Sequence, residues 1–117
     1  MTRNDKLLCA LYAAISLVAL YATWSNNLAF FAMPDNGGLM GFLRLAYANP
    51  AAASLANDLF LFGFAATLFM LLEAKRLRIR FVWVYVVLSV TVAISVFFPL
   101  FLIARQKRLA ELSATAA

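Results

Sequence analysis

Side chains able to hold a metal, move a proton or attack a carbon are scarce in this sequence. It has no histidine and one cysteine, Cys9. Zinc, non-haem iron and haem sites draw on imidazole or on several thiolates, so no metal and no cofactor is expected. The four methionines, Met1, Met33, Met40 and Met70, lack the clustering that soft copper would need. Cys9 lies in an apolar run, where a thiol behaves as a small inert hydrophobe. Histidine-based triads and proton shuttles are unavailable. Carboxylate chemistry is what remains. Asp58 and Glu73 border an apolar run, and a protonated carboxyl in an apolar pocket could act as an acid on a membrane-dissolved substrate. On one helix the two are about 22 Å apart, too far to work on one bond within a single chain. No catalytic residue is assigned, and an enzyme is not the expected reading.

The elements that carry these residues follow from composition. The chain is 66% hydrophobic and 13% charged, whereas a soluble domain is about half apolar and a quarter charged. There is too little polar material to cover a core, which excludes a soluble monomer and a disordered tail. Residues 7–24 carry no charge and make about 27 Å of helix, close to a hydrocarbon core of about 30 Å. Arg3 and Lys6 resemble the start of a signal peptide. However, the apolar run is longer than a usual signal core and no small-x-small cleavage site follows, so a retained helix is expected. Met33-Pro34-Asp35-Asn36-Gly37-Gly38 reads as a turn. The apolar stretch after it is too short to span and suits an interfacial helix. Asn49-Pro50 is a helix start, with Asn as cap and Pro in the first turn. Ala52, Ala56, Gly63 and Thr67 then fall on one face, the arrangement that lets another backbone approach closely. Residues 81–104 carry no charge and form the clearest spanning segment, and Pro99 within it predicts a bend near Ser95 to Pro99. The expected fold is all-α. It is a polytopic membrane protein with three transmembrane helices at about 7–25, 52–73 and 81–104, and an interfacial helix at about 39–48, in one membrane domain over 1–117.

Spacing singles out Asp58. The uncharged run 59–72 gives about 21 Å of helix, less than the hydrocarbon thickness, so one flanking acid enters the bilayer. Glu73 abuts the bases Lys75, Arg76, Arg78 and Arg80 and belongs at an interface, where it can pair with Arg76. Asp58 is therefore the intramembrane acid, and it should face protein or water. Residues at similar depth predict a polar cluster of Asp58 with Tyr21, Asn26, Arg44 and Ser95.

The net charge of +5 sits at the ends of apolar runs, as topology signals and headgroup contacts do. The expected partners are the lipid bilayer and other membrane chains or copies of this one, not nucleic acid. Three straight spans would place Arg3, Lys6, Lys75, Arg76, Arg78 and Arg80 on one side, against Arg44, Arg105, Lys107 and Arg108. That bias favours a cytoplasmic N-terminus and an outward C-terminus.

Asn49-Pro50, Asn57-Asp58-Leu59, Glu73-Ala74-Lys75-Arg76-Leu77 and Phe98-Pro99-Leu100-Phe101-Leu102 with Arg105 form a pattern. It resembles a group of uncharacterised small bacterial integral membrane proteins sharing a domain of unknown function. The resemblance implies a bacterial inner-membrane protein and carries no activity across. The expected role is a structural or accessory subunit or a small oligomer. The alternative is binding or transport of a small or lipophilic molecule at the cluster around Asp58.

Overall fold

The computed structural model describes residues 1–116, which are helical apart from short turns and contain no strand. The order is α1 (Arg3–Ala32), α2 (Gly38–Ala46), α3 (Pro50–Leu77), α4 (Val82–Leu88), a π-helical segment (Ser89–Ala93) and α5 (Ile94–Ala116). By helical length and composition alone, three stretches are long and apolar enough to cross a membrane: Arg3–Ala32, Pro50–Leu77 and Val82–Ala116. The short α2 is the fourth element, as the sequence predicts. The molecule is an elongated bundle of 59 × 24 × 24 Å.

Local chemistry sets the helix ends. The Thr2 hydroxyl accepts from the Asp5 N–H and the Asp5 carboxylate accepts from the Thr2 N–H, a reciprocal capping box that satisfies otherwise orphaned donors. The Asn49 side chain accepts from the Ala52 N–H, with Pro50 behind it. Between α1 and α2 the Asn36 side chain donates to the Phe31 and Met33 carbonyls and accepts from the Gly38 N–H. Gly37 sits at φ 78°, a left-handed geometry open to glycine at no steric cost. Gly41 is needed for space, since a Cβ there would fall 1.9 Å from the Asn36 carbonyl oxygen. The turn packs Phe42 of α2 against Phe30 and Phe31 of α1.

The third stretch is not straight. The rings of Tyr85 and Phe101 are 5.6 Å apart, whereas sixteen residues of straight helix would separate them by about 24 Å. Arg108 Nε donates to the Leu77 carbonyl at 2.7 Å. Only a short connection joins Leu77 to Val82, but a straight helix would put Val82 about 39 Å from Arg108. The stretch is therefore a hairpin in which α4 runs antiparallel to α5. Tyr85 and Phe101 lie symmetrically about Ala93, the last residue of the π-helical segment. The departure from α geometry thus lies upstream of the bend expected near Ser95 to Pro99. Pro99 itself is buried inside α5. In π geometry the ladder shifts by one residue, which makes carbonyls available to outside donors.

α1 supplies those donors. Trp24 Nε1 donates to the Val92 carbonyl at 2.9 Å and the buried Ser16 hydroxyl donates to the Val96 carbonyl at 2.8 Å. The carbonyl that Pro99 leaves without its helical donor is that of Ser95, one residue before Val96. A third tie, from Gln106 Nε2 to Asp5 Oδ1 at 2.7 Å, completes an antiparallel seam between α1 and α5. Met70, Ala74 and Phe101 form the core, with Val82, Tyr85, Val86 and Phe98 packed against it. The small-residue face of α3 looks into the same chain. Of its residues Ala56 is buried and Ala52, Gly63 and Thr67 are half-buried, and a Cβ on Gly63 would meet the Ile94 side chain at 3.8 Å.

The hairpin corrects the expected placement of the C-terminal half. Asp5, Glu73, Leu77, Arg105, Gln106 and Arg108 meet at one end of the bundle. The α5 tail therefore lies beside the N-terminus rather than opposite it.

Candidate functional site

The five residues of the expected polar cluster stand on outer surfaces. Asp58, Tyr21, Asn26, Arg44 and Ser95 are all exposed. No hydrogen bond or ion pair among the described residues joins Asp58 to any of the other four. Asn26 instead donates to the Ala22 carbonyl one turn back, at 2.8 Å, and Arg44 occupies the last turn of α2, where the helix dipole favours a cation. The nearby polar link that does form involves the neighbour of Asp58: the Tyr47 hydroxyl donates to Asn57 Oδ1 at 2.9 Å and ties α2 to α3. Ser89, buried near the hairpin tip, has a hydroxyl oxygen without a hydrogen-bond partner.

The ordered charge chemistry lies at the other end. Glu73 accepts from Arg76 through two bonds, at 2.7 and 2.9 Å, and from Arg105 Nε at 2.6 Å. The first pairing is the one its i,i+3 spacing predicts; the second needs the hairpin. The Arg105 guanidinium also lies over the Phe69 ring, 5.5 Å from its centroid, a cation–π geometry. Arg108 is held twice, by the Leu77 carbonyl and by Glu111 Oε2 at 3.0 Å.

Beyond this network the chain turns tightly. Arg78 and Phe81 adopt left-handed φ of 57° and 61°, and the Ile79 N–H closes the helix end on the Ala74 carbonyl at 3.0 Å. This turn brings Arg78 and Arg80 against Lys107, Arg108 and Glu111 around an open cleft of about 710 Å³. A second groove of about 420 Å³ runs between the hairpin arms, lined by Val84, Tyr85, Phe97, Leu100 and Ile103. The two share Ala104 and Lys107. Both basic clusters are visible in the sequence, but a straight third helix puts them on opposite faces. Only the reversal unites them.

A family match covers most of this architecture. A family model described as "Protein of unknown function DUF2834" matches residues 11–107. The chain belongs to that family. The match takes in most of α1, all of α2, α3 and α4, and α5 through Lys107, so the hairpin and the Glu73–Arg105 pair both fall within it. No curated protein and no solved structure matches the chain.

Proposed function

We propose that this protein is a non-catalytic component of the bacterial inner membrane, a structural or accessory subunit that associates with copies of itself or with other membrane chains. One observation carries the reading. Asp58 lies on the apolar helix α3, faces away from its own bundle and has no hydrogen-bond or ion-pair partner among the described residues. An acid at that depth is costly unless it is paired, protonated or in contact with water, and a neighbouring chain can provide the partner. Tyr21, 78% exposed on α1, and Ser95 on α5 offer further outward polar groups to such a contact.

Orientation follows from the charge at the two ends. Arg3, Lys6, Lys75, Arg76, Arg78, Arg80, Arg105, Lys107 and Arg108 lie toward one end and Arg44 toward the other. The positive-inside rule places the basic end in the cytoplasm. In this arrangement α1 and α3 cross the bilayer, and the hairpin enters and leaves from the cytoplasmic face. Purification in mild detergent with mass measurement tests association. The expected result is an oligomer or a co-purifying chain that Asp58→Leu weakens. A strictly monomeric species with no companion would overturn the reading. A small molecule retained at Asp58 instead would favour binding or transport.

A further inference from the structure

The cleft at the basic end and the groove between the hairpin arms form one continuous amphiphilic surface. The cleft holds four cations, Arg78, Arg80, Lys107 and Arg108, against one acid, Glu111. Arg108 is neutralised in part by Glu111, whereas Arg78, Arg80 and Lys107 are exposed and make no ion pair among the described residues. The left-handed turn at Arg78 and Phe81 fixes the backbone that carries two of these cations. The cleft lies beside Arg105 and just beyond Glu73, the charges that end the uncharged runs of α5 and α3, which puts it at headgroup depth. From Ala104 and Lys107 the surface then descends along Val84, Tyr85, Phe97, Leu100 and Ile103. A free anion uses only the upper part. A phosphate joined to an acyl chain uses both.

We propose that this surface is a binding site for an acidic phospholipid, with the phosphate among Arg78, Arg80 and Lys107 and an acyl chain along the groove between α4 and α5. Clustered bases beside a membrane attract anionic headgroups with an energy that grows with each cation; the fixed turn and the apolar groove convert that general attraction into a located site.

The test uses the full chain in mild detergent, titrated with phosphatidylglycerol or phosphatidylcholine, with retained lipid counted by native mass spectrometry. The expected affinity for phosphatidylglycerol is at least about tenfold the higher. Combining Arg78→Gln, Arg80→Gln and Lys107→Gln, all exposed positions, should bring it down to the phosphatidylcholine level. Leu100→Trp, which fills the groove, should weaken both lipids, and Arg80→Gln with Lys107→Gln serves if the triple variant unfolds. Millimolar inorganic phosphate should leave the lipid bound. Equal affinities for the two lipids, or undiminished phosphatidylglycerol binding by the glutamine variants, would overturn the proposal. Complete displacement by inorganic phosphate would also overturn it and assign the cleft to a free anion.

Discussion

Single side chains in this protein are used mainly to satisfy backbone and close turns. Ser16 illustrates the first use: its hydroxyl is buried and donates to the Val96 carbonyl. Ser16→Ala should lower stability by about 0.6 kcal/mol and by no more than about 1.7, the mean and the maximum for interhelical hydrogen bonds in a membrane protein, read as a shift in the unfolding transition in detergent. Gly41 illustrates the second. A Cβ there would strike the Asn36 carbonyl oxygen at 1.9 Å, and because that atom is backbone the whole turn must move. Gly41→Ala should cost about 1–3 kcal/mol and loosen α2, seen as faster amide exchange over residues 38–46. Asp5 adds a pH dependence. The Thr2 backbone N–H, and then the Gln106 amide, hold its carboxyl below the ordinary 3.8. Its contribution is complete above that ordinary value and disappears as pH falls through the lowered folded value. Asp5→Asn should remove this acid-side dependence from a melting profile, and an unchanged profile would show that the cap is not coupled to folding.

At the scale of elements, the hairpin governs everything else. Its tip is a π-helical segment, and the Val92 carbonyl there and the Val96 carbonyl in the first turn of α5 are both taken up by α1. Trp24→Phe keeps an aromatic side chain but removes the indole donor to Val92 along with the pyrrole part of the ring. It should therefore destabilise the tip by about 1 kcal/mol, with faster exchange near residues 89–93 and little change in α3. The fold-back has a sharper check. In a Cys9→Ser background, Tyr85→Cys with Phe101→Cys should be joined by a short thiol cross-linker, because the native rings are 5.6 Å apart. A straight helix would hold the pair about 24 Å apart, beyond reach of such a reagent. The α3 face of Ala52, Ala56, Gly63 and Thr67 serves the same assembly. The small residues that could have met another chain are used to seat this chain's own helices.

For the whole molecule, the reversal changes the sidedness. Cysteines introduced at Thr2 and at Ser113 should be labelled from the same side of an oriented membrane, and one at Asn36 from the other. Labelling of Thr2 and Ser113 from opposite sides would contradict the hairpin. With both termini at the basic end, the charge asymmetry between faces is far stronger than straight spans allow. The same geometry leaves the outward faces of α1 and α3 uncovered, and the association proposed through Asp58 would use the α3 face.

The sequence alone determined the class and the element plan. The lack of polar material dictated a membrane protein, and the charge-free runs with Asn49-Pro50 located α1 and α3. The spacing from Glu73 to Arg76 predicted their ion pair. These are local properties, set by hydropathy, capping and helical periodicity within a few turns. Tertiary structure decided the direction of the third apolar stretch, because a hairpin and a straight span have the same composition and the same helical dihedrals over nearly all their length. That reversal put Arg105 on Glu73, set Lys107 and Arg108 beside Arg78 and Arg80, and gave Ser16 and Trp24 their carbonyl partners. The exposed positions of Asp58, Tyr21 and Ser95 were likewise hidden in the sequence. Depth along a helix can be counted from residue spacing, but the direction a side chain faces depends on which neighbours pack against its helix.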